Sequence, residues 1–233
     1  MTSSAKVSVL VVDDDALIRA GICSILGSDD RIAVVGEAEN GYRAIELSQR
    51  LKPQVVLMDI RMPQLDGLAA LEELRTIQPG SQVIILTTFG EEDYIDRALR
   101  SGAGGFLLKT SSPEEIINAV IAVSQGAVAL SPRIARRVVD RLQSIDTSSA
   151  RRATSMISSL TQRESEVLSL LGSGATNAEI AERLVLTQAT VKGYVTAILL
   201  KLGARNRVEA ALIAFQAGRL TNFHADRSPR QNS

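Results

Sequence analysis

The stretch VVLMDIRMPQLDG, residues 55–67, decides the fold. Four apolar residues, Val55 to Met58, run into Asp59 and then into a turn through Arg61, Met62 and Pro63. The run is too short for a helix and is bounded by Pro53 and Pro63, which favours a strand covered on both faces. A carboxylate then stands at the tip of a buried strand. An Asp at a strand end is also ordinary turn chemistry, so the meaning of Asp59 depends on what stands at the tips of the neighbouring strands.

Working outward, short β-rich runs alternate with segments of helical spacing. The expected strands are Val7 to Val12, Ile32 to Glu37, Val55 to Met58, Val83 to Leu86 and Gly105 to Leu108. Between and after them, helices are expected over Ala16 to Leu26, Arg43 to Leu51, Leu68 to Ile77, Asp93 to Arg100 and Glu114 to Ser124. Repetition of strand then helix predicts an α/β fold, a five-stranded doubly wound parallel sheet. In such sheets, functional groups gather beyond the carboxyl ends of the strands. Those positions hold Asp13, Asp14 and Asp15 after the first strand, Asp59 after the third, Thr87 and Thr88 after the fourth, and Lys109 after the fifth. With strand order 2-1-3-4-5, Asp13, Asp14 and Asp59 converge on one crevice. Carboxylates so crowded need a cation, and an all-oxygen ligand set suits Mg²⁺. Lys109 adds a fixed positive charge, Thr87 a hydroxyl donor, and Asp59 a nucleophile. This is equipment for holding a phosphoryl group.

Length and charge place a second unit downstream. At 233 residues the chain exceeds the usual size of one domain. Residues 1–125 carry 11 Lys+Arg against 18 Asp+Glu, net −7, and residues 126–233 carry 15 against 8, net +7. The basic half suits a polyanionic partner. A single cysteine, Cys23, excludes an internal disulfide and a cysteine-rich metal cluster, and is expected as a small core residue. No apolar run is long enough for a signal peptide or a membrane anchor, so no membrane partner and a cytoplasmic location are expected. His224, the only histidine, lies in a polar stretch and is expected to be solvated.

The connecting region, 126–158, is expected to contain a helix over about 132–143. Ser131 and Pro132 start it, Ile134, Val138 and Leu142 form one apolar stripe, and Arg133, Arg136, Arg137 and Arg141 line the rest. A Ser/Thr-rich tether follows. Residues 159–220 hold four helical segments and no strand signal, and 221–233 read as a disordered tail. Thr161 and Glu164 form a capping box opening the first helix, Asn177 is expected to cap the second, Thr187 the third and Asn206 the last. Only Val185 and Leu186 separate the second helix from the cap of the third, which fits a helix-turn-helix. On the third helix, Val191, Val195, Ile198 and Leu202 share the core side, while Gln188, Lys192, Gly193 and Thr196 share a face suited to base edges and phosphates.

The segments VLVVDDD, VLMDIRMPQLDG, VIILTTF and GAGGFLLK resemble the receiver domain of bacterial two-component response regulators over residues 6–125. The resemblance implies a flavodoxin-like fold, Asp59 as phospho-acceptor for a sensor histidine kinase, and Mg²⁺ held by Asp14, Asp59 and the Arg61 carbonyl, with Asp13 contributing through water. It also implies that Lys109 pairs with phosphoryl oxygens and that Thr87 and Phe106 act as switch residues. Self-phosphorylation from a phosphodonor and self-dephosphorylation would be its only chemistry. Thr110 departs from the proline many receivers carry after the lysine. Arg61 and Phe89 stand where the family flanks the phosphoryl group, and the Phe89 ring is expected to slow its hydrolysis.

The segment from Leu160 to Ala214 is similar to the LuxR-type helix-turn-helix of NarL/FixJ response regulators, an all-α four-helix domain. That similarity implies a homodimer on double-stranded DNA, a recognition helix starting at Thr187, and Lys192 as principal contact. The expected DNA-contacting set is Asn177, Thr187, Gln188, Thr190, Lys192, Gly193 and Thr196. Val208, Ala211, Leu212 and Phe215 are the expected dimer contacts, and RNA polymerase is a further possible partner. Gly193-Tyr194-Val195 departs from the larger residue and His that members commonly carry before this Val.

Three rivals use parts of the same equipment. A phosphatase or phosphotransfer enzyme would need a separate acid/base residue and a substrate pocket, and a ligand-sensing LuxR regulator would need an aromatic-lined domain, whereas the chain is 3% aromatic with no Trp. A helix-turn-helix regulator switched by partner or ligand binding without phosphorylation is the remaining alternative.

Overall fold

The computed structural model describes residues 6–88, 92–131, 134 and 155–217, with backbone alone at 92, 93, 96, 99, 215 and 216. The expected helix over 132–143 (apart from Ile134), most of the tether, Phe89, His224 and the tail 221–233 lie outside the described residues. The chain divides into two compact units, Met1–Gln143 and Ser144–Ser233.

In the first unit, β1 (Val7–Val12), α1 (Ala16–Gly27), β2 (Ile32–Ala38), α2 (Gly41–Leu51), β3 (Val55–Asp59) and α3 (Gly67–Ile77) follow one another. β4 (Gln82–Thr87), α4 (Glu92–Arg100), β5 (Gly105–Leu108) and α5 (Pro113–Ser124) complete the expected alternation. All strand pairs are parallel, and the order is β2-β1-β3-β4-β5 as expected, with one addition. A sixth strand, β6 (Ala129–Leu130), pairs with β5 in the stretch expected to be linker. After α5 the chain reverses at Gly126, φ 79°, and two residues return along β5. They satisfy part of an edge that would otherwise present unpaired backbone groups. Two residues carry too little periodicity to announce a strand.

Alternate residues of each strand feed two cores. Leu10, Val12, Val56, Met58, Val83, Ile85 and Phe106 face one side with α2 and α3, while Val9, Val11, Val55, Leu57, Ile84, Leu86 and Leu107 face the other with residues of α1 and α5. All five residues of β3 are buried. That is why Val55 to Met58 reads as an unbroken apolar run, and each such side chain contributes about 1.5–3 kcal/mol. Caps set the helix starts: Asp15 accepts from Leu17 and Ile18 N–H, Asn40 from Arg43 N–H, and Asp66 from Ala69 N–H, while Ser112 and Glu115 form a capping box behind Pro113. Cys23 is half-buried against the α1 side, and its thiol is pushed up to about 11 by burial, with Glu37 adding to the shift.

The second unit holds α6 (Gln162–Gly172), α7 (Asn177–Leu184), α8 (Gln188–Leu202) and α9 (Arg207–Gln216) around a core of Val167, Leu168, Leu171, Ile180, Val191, Ile198 and Leu202. The Thr161–Glu164 capping box forms as expected. The cap of α7 is Thr176, not Asn177: Thr176 and Glu179 make the reciprocal bonds, and Asn177 is the first helical residue. The turn into α8 passes through Val185 at φ 54° and ends on Thr187, whose hydroxyl accepts from Thr190 N–H. Among the described residues, no helix is long and apolar enough to cross a membrane.

Candidate functional site

The carboxyl edge of the sheet assembles the first site. Asp13 follows β1, Asp59 is the last residue of β3, Thr87 the last of β4, and Lys109 follows β5. Asp13, Asp14 and Asp59 bring carboxylate oxygens within 4.8 Å of one another, with Asp13 and Asp59 buried and Asp14 exposed. Lys109 Nζ lies 2.7 Å from Asp13 Oδ2 and 2.9 Å from Asp59 Oδ2, bridging the two buried groups. Backbone N–H groups hold the remaining oxygens: Ile60 donates to Asp59 Oδ1 at 2.8 Å and Asp15 to Asp13 Oδ1 at 3.0 Å. Asp15 itself is spent on capping α1 and does not join the cluster.

Burial raises the pKa of Asp59, partly countered by Lys109. Lys109 is held above its usual value: burial works against its charge, but the carboxylates of Asp13 and Asp59 beside it outweigh that. Three carboxylates face one ammonium in the cluster, and Asp13 Oδ2 is buried with its ion pair but no well-aligned hydrogen bond. Three carboxylates within reach of one another, with an under-satisfied buried oxygen among them, fit a hard divalent cation. Arg61, whose carbonyl was expected among the ligands, stands with Asp14, Ile60, Met62, Pro63, Asp66 and Tyr94 around a cavity of about 410 Å³ that adjoins the cluster.

The switch residues expected from sequence occupy the strands that carry the site. Thr87 is buried, its hydroxyl donating to the Thr88 carbonyl at 3.2 Å. Phe106 is fully buried on β5, three residues before Lys109. Two supports were not foreseen. Arg19, on α1, donates to the Asp13 carbonyl at 2.7 Å and pairs with Glu37 at 3.3 Å, fixing the backbone that carries Asp13 and Asp14. Gly67 donates to the Ile60 carbonyl at 2.9 Å, and a Cβ on it would stand 1.9 Å from the Asp59 carbonyl oxygen, so α3 can start against Asp59 only from a glycine. In sequence, the pattern Asp-Gly at the head of a helix was the available signal.

In the second unit, Thr187, Gln188, Thr190, Lys192, Gly193 and Thr196 are exposed around the start and one face of α8, opposite buried Val191, Ile198 and Leu202. Asn177 is a correction: it is 5% exposed, and its Oδ1 accepts from Arg207 at 2.8 Å. Arg207 also donates to the Ala175 carbonyl, so Asn177 fastens α9 to the start of α7 instead of meeting an outside partner. Burial pushes the Arg207 guanidinium down to about 10, still charged at neutral pH. Val208 is also buried and has no surface to offer a second copy, whereas Ala211 and Leu212 are partly exposed. The side chain of Phe215 lies outside the described residues.

An acidic crevice with a bridging lysine at the carboxyl edge of a 2-1-3-4-5 sheet, followed by a four-helix unit with a helix-turn-helix, defines a response regulator: a receiver domain joined to a LuxR-type DNA-binding domain. Residues 9–121 match the response regulator receiver domain family, and residues 158–214 match the bacterial regulatory proteins of the luxR family. The chain belongs to the NarL/LuxR family of response regulators, transcriptional regulators of two-component systems. It is 35% identical to the transcriptional regulatory protein LnrK of Bacillus subtilis, across 91% of this chain and 98% of that protein. It is 34% identical to the nitrate/nitrite response regulator protein NarL of Escherichia coli, across 93% and 98%. The crystal structure of the response regulator ChrA of a heme-sensing two-component system matches with TM-score 0.52 and 33% identity, across 93% of this chain and all of that one.

Proposed function

We propose that Asp59 accepts a phosphoryl group from a sensor histidine kinase and that this modification controls DNA binding by α8. The observation that carries this is the convergence of Asp13, Asp14 and Asp59 with Lys109 bridging two of them. An oxygen of Asp59 attacks phosphorus, the P–N bond to the kinase imidazole breaks, and the proton needed by the leaving imidazole comes from solvent or the kinase. Mg²⁺, held by Asp14, Asp59 and the Arg61 carbonyl with Asp13 contributing through water, would neutralise charge on the phosphoryl oxygens. Lys109, already between two carboxylates, takes the added anion as a further partner. Its backbone N–H donates to the Thr87 carbonyl at 2.7 Å, so displacement of Lys109 is felt at Thr87, and through β5 at Phe106. The chain's own chemistry ends with acquisition and loss of this group.

In the output unit, α8 enters the major groove of operator DNA, with Lys192 central and Thr187, Gln188, Thr190, Gly193 and Thr196 around it. A homodimer through Ala211 and Leu212 of α9 would present two such helices, and RNA polymerase is the partner through which the bound dimer acts on transcription. The location is the cytoplasm, where kinase and operator are both within reach. The test is Asp59→Asn: acyl-phosphate labelling by acetyl phosphate disappears and operator binding weakens. Wild-type binding that is identical with and without phosphodonor would replace this account with a switch driven by partner or ligand.

A further inference from the structure

The exposed face of α8 carries a glycine that nothing among the described residues explains. Gly193 lies in mid-helix, where glycine is a costlier choice than alanine. A Cβ built on it meets no atom within 4 Å, and its backbone is not in the positive-φ range. Among the described residues neither packing nor backbone conformation asks for glycine, and the space over it is open to a partner of α8. The surroundings indicate what stands there. Ala189, Thr190, Lys192 and Thr196 are exposed at the helical spacings that adjoin Gly193. The Thr196 hydroxyl donates to the Lys192 carbonyl at 3.0 Å, so outward it offers lone pairs and a methyl group, not a proton. The result is a notch one methyl group deep, bordered by Ala189 and by Thr190 and Thr196, whose hydroxyls are engaged with Thr187 and the Lys192 carbonyl, with a cation at its rim. In the major groove, the apolar group that base pairs project is the 5-methyl of thymine.

We propose that Gly193 is a specificity-determining residue: its missing side chain leaves room on α8 for the 5-methyl group of one thymine of the operator. This rests on α8 being the DNA-recognition helix. An alanine at 193 would place its own methyl in that space. The same base pair carrying uracil, which lacks the methyl, would then be the better partner for the variant.

The experiment uses the full chain with Mg²⁺ and acetyl phosphate. A duplex is enriched from a randomised library by the wild-type protein, and each of its thymines is replaced in turn by deoxyuridine. At one thymine per half-site the wild type is expected to lose about fourfold in affinity, the worth of one buried methyl. Gly193→Ala should bind the thymine duplex more weakly and regain affinity on the deoxyuridine duplex at that same position. Its melting temperature, equal to or above wild type, shows that weaker binding is not unfolding. Equal responses of wild type and Gly193→Ala to every deoxyuridine substitution would overturn the inference while leaving DNA recognition by α8 intact. Failure of the wild type to enrich any duplex would remove the DNA-binding role of α8, and the inference with it.

Discussion

Removing the ammonium of Lys109 is the sharpest perturbation the receiver site offers. In Lys109→Ala, Asp13 and Asp59, both buried, lose a counter-ion that stood 2.7 and 2.9 Å away. Breaking a buried ion pair from one side costs about 3–5 kcal/mol, because the remaining charge is left uncompensated. Here two carboxylates are orphaned, while the near-surface position of the lysine tip, at 12% side-chain exposure, admits some water. The expected loss is therefore within that range, not double it. Urea unfolding of the full chain in EDTA, following the transition of the N-terminal unit by circular dichroism, measures it. The double-mutant cycle with Asp59→Asn should return an interaction energy of about 1–3 kcal/mol. The pH dependence has a definite sign. Asp59 has its folded pKa raised by burial, so the folded state holds a proton that the unfolded state has released. Stability thus falls as pH climbs from the unfolded carboxylate's value, about 3.9, through the higher folded one, and Lys109→Ala, lacking the opposing charge, should fall further. Mg²⁺ should restore part of the loss. A cost under about 1 kcal/mol for Lys109→Ala, or an equal cost with Asp59→Asn present, would show that Lys109 does not neutralise this pair.

Gly67→Ala should displace the Asp59 carbonyl, since the new Cβ would stand 1.9 Å from it. We expect a loss of about 1–3 kcal/mol, as for overpacking elsewhere, together with slower labelling by acetyl phosphate, and wild-type labelling would place the strain away from Asp59. Arg207→Ala should lower the stability of the C-terminal unit by about 2–6 kcal/mol, because Asn177 Oδ1 and the Ala175 carbonyl lose their donor at about 1–3 kcal/mol each. Arg207→Lys should recover only part, having no fork to reach both acceptors, and a full recovery in thermal unfolding would contradict the two-acceptor clamp.

The site was legible where chemistry and periodicity coincide. β1, β3, β4 and β5 are each an apolar run that stops at a polar residue, so Asp13, Asp59, Thr87 and Lys109 could be aligned once a strand order was supposed. The alternation of Val55 and Leu57 with Val56 and Met58 between two cores is what a continuous apolar strand means. What stayed hidden depends on long side chains reaching across the fold. The hold of Arg19 on Asp13 and of Arg207 on Asn177 spans elements that no local pattern connects. Asn177 was misplaced for a local reason: Thr176 and Asn177 are both good caps, and only the glutamate three residues after the threonine decides between them. Val208 fell among expected dimer contacts because an Ala-rich helix leaves its inner face ambiguous, and burial resolves it.

The two residues of β6 bear on how the receiver can be handled in isolation. Ser131 N–H donates to the Phe106 carbonyl at 3.0 Å, and Ile134 is buried in the same core as Phe106. A receiver cut after α5 would bare the outer backbone of Gly105 and Phe106 and empty a place in that core. Such an open strand invites pairing with a second molecule, and self-association of the short fragment would then be an artefact of the cut. A boundary drawn beyond Ile134 keeps the edge closed and leaves any remaining dimerisation to the native surface.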